Sequence, residues 1–90
     1  MAILFPDAKV LAEREVDAIA AAVGDDFVVI HDETVETAEG WVFFYNSREF
    51  VETGDFRDAL AGNGPILVDR HGLVKRLPTG IPWETAIKQE

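Results

Sequence analysis

The sequence predicts an α+β domain, with an N-terminal helix and a short C-terminal helix packed on one face of an antiparallel sheet of four to five strands. Three observations predict it. Apolar residues recur at helical spacing near the start of the chain. The middle is a run of short β-branched and aromatic segments separated by turn residues. A proline then opens a last segment with apolar residues on one side. Ninety residues form one domain, 1–90, with a modest core and little mass to spare for a deep cleft.

The first helix is expected over residues 6–23. Pro6 suits the first turn, where its missing N–H costs nothing, and Asp7 complements the dipole there. The stripe Ala8, Ala12, Val16, Ile19, Ala20, Val23 is rich in alanine, so the helix can lie close to a sheet. Gly24 is the expected left-handed residue after it. Residues 27–31 read as a strand, with strand character continuing through Thr34, Val35 and Thr37. Ala38, Glu39 and Gly40 make a hairpin turn in which Gly40 is free to take positive φ. Residues 41–45 form the strongest strand, and apolar residues on both of its faces predict a central position.

Asn46 and Ser47 offer a turn or bulge. Residues 48–51 alternate and predict a third strand, broken by Thr53, Gly54 and Asp55. One or two helical turns are expected over 56–61, with Phe56 and Leu60 on one side. Gly62, Asn63, Gly64 and Pro65 form a breaker cluster. Residues 66–68, a tight turn at 69–72 and residues 73–77 make a second hairpin. Pro82 opens the C-terminal helix, with Trp83 and Ile87 on one face.

Hydrophobic residues make up 48% and charged residues 28%, which suits a folded globule. No apolar run approaches the roughly 18 residues of a membrane span, and the first residues lack the basic segment of a secretory signal. Cysteine is absent, which excludes disulfides, thiolate metal sites and cysteine nucleophiles and fits a cytoplasmic protein. Eight basic residues against 17 acidic ones give a net charge of −9. That balance argues against nucleic acid and anionic lipid as ligands, and it suits a basic protein partner. The charge is unevenly spread. No Lys or Arg lies between Arg14 and Arg48, a segment that holds Glu15, Asp17, Asp25, Asp26, Asp32, Glu33, Glu36 and Glu39.

Catalytic patterns are scarce. His31, followed by Asp32 and Glu33, allows a histidine–carboxylate base, but an exposed strand-end histidine explains it as well. His71 sits in a turn before a glycine. The single serine, Ser47, lacks the flanking glycines of a nucleophile elbow. Gly62 and Gly64 resemble a fragment of a phosphate loop, yet no Lys-Ser or Lys-Thr pair follows. Asp32, Glu33 and Glu36 lack EF-hand spacing and read as a solvated acidic strand. No catalytic residue, metal or cofactor is assigned. Most of the aromatic residues lie in or beside strands and belong to the core. Trp83 and Tyr45 are the two placed to act as contact anchors.

The run from Gly40 to Asn46, then Glu52-Thr53-Gly54-Asp55, Leu60-Ala61-Gly62-Asn63-Gly64-Pro65 and Val68-Asp69-Arg70, resembles the immunity protein 35 family with its YrhB-like small proteins. The resemblance covers about residues 26–88, and Asp69 to Gly72 matches its glycine turn before the last strand. It implies an antitoxin that binds and neutralises a polymorphic toxin. For the YrhB-like members it implies instead a chaperone-like protein that binds unfolded clients. Neither implies catalysis. The motif residues have structural roles of their own: Gly54, Gly62 and Gly64 fix turns, Pro65 stiffens a strand start and Trp41 fills the core. The partner surface is therefore expected elsewhere, at Asp32, Glu33, Glu36 and Glu39, with Tyr45 or Trp83 as an apolar anchor. The expected partner is a cognate toxin with a basic surface.

Overall fold

The structure is a computed structural model that describes residues 2–55, 57, 59 and 64–88. Its elements run α1 (Phe5–Val23), β1 (Phe27–Val29), a 3-10 turn (His31–Glu33), β2 (Val35–Glu36), β3 (Gly40–Phe43), β4 (Tyr45–Ser47), α2 (Arg48–Thr53), β5 (Ile66–Asp69), β6 (Val74–Arg76) and α3 (Trp83–Ala86). The α+β class and the antiparallel strands are as expected. The strands divide into a two-stranded sheet, β1-β4, and a four-stranded sheet in the order β2-β3-β5-β6.

Helix α1 begins at Phe5, with Leu4 in extended backbone before it. The Asp7 carboxylate accepts the Leu4 N–H at 3.3 Å, which satisfies a donor that the first turn leaves open. Gly24 closes the helix at φ 70°, in the left-handed region that glycine adopts without a Cβ penalty. Ala8, Ala12, Val16 and Ala20 are buried, one per turn on a single face. The stripe ends there: Val23 is 65% exposed.

Strand β3 is internal, as its two apolar faces predict. It pairs with β2 through Glu36 opposite Trp41 and with β5 through Trp41 opposite Val68, Val42 opposite Leu67 and Phe43 opposite Ile66. Strand alternation then sorts the side chains into two layers. Trp41, Phe43, Ile66 and Val68 pack under α1 in one cluster. Val42 and Leu67 point the other way and pack with Phe44, Leu77, Ile81, Trp83, Ala86 and Ile87. The two helices therefore lie on opposite faces of the sheet and do not share one. The reason is Val42 and Leu67, both almost fully buried, which need cover on the face away from α1.

Three local expectations change. Residues 48–51 are not a strand but the first part of α2. The Ser47 hydroxyl accepts the Phe50 N–H at 3.1 Å, an N-cap, and Gly54 at φ 72° ends the six-residue helix. Residues 31–33 leave the extended backbone for a 3-10 turn closed by the Thr34 N–H on the His31 carbonyl at 3.2 Å. The expected strand 41–45 also changes partner at Phe44: β3 joins the large sheet and β4 pairs with β1. The helical turns expected over 56–61 fall largely outside the described residues, as do Gly62 and Asn63. The turn after β5 is built as expected, with Asp69 Oδ1 accepting the His71 N–H at 2.8 Å and the Leu73 N–H at 2.9 Å.

Candidate functional site

A groove of about 580 Å³ opens on the α1 face beside β2, the edge strand of the large sheet. One wall is the start of the chain, Ile3, Leu4 and Phe5. The opposite wall is the 3-10 turn and the start of β2, through His31, Thr34 and Glu36. Trp41 and Arg70 complete the lining.

The chain start is fixed by contacts at three levels. The Ile3 N–H donates to the Arg70 carbonyl at 2.8 Å. The Phe5 ring stacks on Phe43, with centroids 6.1 Å apart and planes 14° off parallel, and tilts against Trp41 at 6.3 Å. The result leaves Leu4 72% exposed and Phe5 41% exposed on a backbone that is tied down.

Arg70 holds the far side together. Its guanidinium carbon lies 4.5 Å from the centre of the Trp41 ring. Nη1 reaches Glu36 Oε2 at 2.9 Å, and Nη2 donates to the Thr37 carbonyl. Its backbone N–H donates to the Glu39 carbonyl at 3.3 Å. One residue from the β5–β6 turn thus fastens the acidic β2–β3 hairpin to the floor of the groove. Thr34 also lines the groove, and among the described residues its Oγ1 is a buried side-chain oxygen without a hydrogen-bond partner.

The expected contact residues separate into three groups. Asp32 and Glu33 stand exposed on the 3-10 turn. Glu36 is exposed and engaged by Arg70, while Glu39 is half-buried beside Arg70. Of these four, Glu36 lines the groove, and Asp32 and Glu33 lie on the turn between its lining residues His31 and Thr34. Tyr45 is buried, its ring 5.9 Å from Phe27, and presents almost no surface to a partner. Trp83 is half-buried edge-on to Phe44 at 6.1 Å, on the opposite face of the sheet. Tyr45 and Trp83 therefore lie apart from the groove, whose lining includes Leu4, Phe5 and Arg70. Leu4 and Phe5 carry no signal beyond preceding a helix. Arg70 lies 34 residues from Glu36 and reads only as a turn residue.

His31 bridges to α1, with Nε2 3.4 Å from Glu13 Oε2. It also borders a second hollow of about 400 Å³, lined further by Glu13, Asp17, Phe27, Val28 and Arg48. Arg48 ends the basic-free segment by bonding Asp26 at 2.6 Å. That hydrogen bond first, and the Asp26 charge second, push the guanidinium further above its usual range. Burial pushes the Asp69 carboxyl up, but the N–H groups of Leu73 and His71, with the charges of His71 and Lys75, outweigh it and hold Asp69 below the usual carboxylate range. Among the described residues no three His, Asp or Glu side chains converge to hold a metal ion. No helix among them is long and apolar enough to cross a membrane.

The arrangement offers a fixed apolar and acidic surface, a geometry suited to contact. The family model for immunity protein 35 matches residues 7–90, nearly the whole chain. The chain belongs to the immunity protein 35 family. The chain is similar to the uncharacterized protein YrhB of Escherichia coli strain K12, 44% identical over 48 residues. That match spans 52% of this chain and 51% of the relative, about half of each. No solved structure matches.

Proposed function

We propose that the protein neutralises a cognate polymorphic toxin in the bacterial cytoplasm by binding over its active site or substrate groove, with no catalysis of its own. Membership of the immunity protein 35 family carries this reading. The charge pattern supports it. We read Asp32, Glu33, Glu36 and Glu39 as an acidic rim, since all four fall within a segment free of Lys and Arg from residue 15 to residue 47 and three of them are exposed. Such a rim attracts a basic toxin surface from a distance and disfavours acidic competitors.

The test is co-expression with the toxin domain encoded next to this gene, scored by cell survival and by recovery of a complex. Survival with a stable complex is expected. Death of cells that contain folded protein, with no complex, overturns the proposal. Suppression of aggregation of unrelated clients, without a high-affinity partner, would instead identify a chaperone-like protein. The double reversal Asp32→Lys with Glu33→Lys should slow association about tenfold and leave dissociation nearly unchanged, since rim charges act on encounter. An unchanged association rate would remove these two residues from the contact surface.

A further inference from the structure

The groove beside β2 combines two properties that an acidic surface alone lacks. Its apolar wall is open, with Leu4 72% exposed and Phe5 41% exposed. That wall is also held in place, by the stacking of Phe5 on Phe43 and by the Ile3 hydrogen bond to Arg70. An exposed apolar side chain on a fixed backbone needs little ordering to make a contact, so more of its burial reaches the affinity. Around it the charge is one-sided. Asp7 lies one turn from Leu4, Glu36 lines the groove, and Asp32 and Glu33 are exposed on the 3-10 turn next to the lining residues His31 and Thr34. The cation in their midst, Arg70, already serves Glu36 and the Thr37 carbonyl.

We infer that this groove is the specificity site, and that its occupant is a segment of the toxin carrying an apolar side chain next to Lys or Arg. The inference rests on the immunity reading above. The apolar side chain lies against Leu4 and Phe5, above the largely buried Trp41, and the neighbouring cation meets Asp32 and Glu33. Burial of the apolar residue supplies affinity, while the acidic rim rejects partners that present carboxylates. A second copy of this chain fits poorly, because each copy carries a net charge of −9. Nucleic acid is disfavoured by the same sign.

The experiment measures binding of the neighbouring toxin domain to the full chain by calorimetry. Leu4→Gln removes apolar surface at an exposed site and is compared with Val23→Gln, equally exposed at the far end of α1. Both variants should unfold like the parent chain. Leu4→Gln should weaken binding about tenfold or more, and Val23→Gln should leave it unchanged. In a Trp83→Phe background Trp41 is the one remaining tryptophan, and its emission should shift when the toxin binds. If the parent chain binds and neither Leu4→Gln nor the Trp41 signal responds, the groove inference is overturned and the immunity reading stands. If the parent chain does not bind, both fall. If sedimentation shows a dimer of the free chain that Leu4→Gln dissociates, the groove belongs to a second copy and the inference fails.

Discussion

Arg70→Ala should lower folding stability by about 2 kcal/mol, and the ion pair should be the smallest part of that loss. The Arg70 and Glu36 side chains are 36% and 64% exposed, so their 2.9 Å pair contributes at most about 0.5 kcal/mol. The guanidinium 4.5 Å from the Trp41 ring centre contributes about 0.5–1 kcal/mol at this partial exposure. The part-buried donation to the Thr37 carbonyl contributes about 1 kcal/mol. In a domain of this size each kcal/mol moves the unfolding temperature by about 4–8 °C. The melting temperature of Arg70→Ala should therefore fall by about 10 °C. Glu36→Gln removes the ion pair alone and should cost about 0.5 kcal/mol or less. Urea unfolding followed by circular dichroism, at low and high salt, separates the contributions. High salt should erase the Glu36→Gln loss and spare most of the Arg70→Ala loss. Equal losses for the two variants, or an Arg70→Ala loss that vanishes in salt, would refute the view that Arg70 works mainly through Trp41 and Thr37.

Three further outcomes concern the turns. A Cβ on Gly40 would sit 2.2 Å from the Val68 carbonyl oxygen and 2.6 Å from the Asp69 Cα, at φ 153°, so Gly40→Ala should separate β3 from β5 and cost more than about 3 kcal/mol. Gly80→Ala, with nothing within 4 Å, should stay within about 0.5 kcal/mol of the parent in the same denaturation assay. Asp69 is held below its ordinary range in the folded state, so its contribution is present above the unfolded value and is lost as pH falls through the folded one. The stability gap between the parent and Asp69→Asn should be full near neutral pH and shrink below about pH 4, as read from urea midpoints across an acid titration. A gap that does not change with pH would assign the turn to packing alone.

The parts of the fold legible in the sequence are those in which one residue type answers one local demand. Alanines at one per turn marked the buried face of α1, Gly24 its end, and Asp69 to Gly72 the last hairpin. Residues 48–51 misled because Phe50 and Val51 look alternating. The decision lay with the Ser47 hydroxyl, whose bond to the Phe50 N–H is worth about 1 kcal/mol toward a helix start. The placement of the C-terminal helix was readable in principle. Val42, Phe44 and Leu67 are apolar on the face away from α1, and that face required a cover. At the site, the acidic residues were visible as a gap in Lys and Arg. The groove was not, because it depends on Arg70 meeting Trp41 and Glu36 from 29 and 34 residues away.

The separation between rim and core has a consequence for how such a protein can change over generations. Asp32 and Glu33 stand on a single exposed turn, outside both buried clusters. Substitutions at such positions usually shift stability by no more than about 0.5 kcal/mol. The sheet beneath tolerates far less, since Phe43, Ile66, Val42 and Val68 are fully enclosed. Under the proposed function, a lineage whose adversary alters its surface can follow it by rewriting a few codons on that turn, while the scaffold that presents them is inherited unchanged.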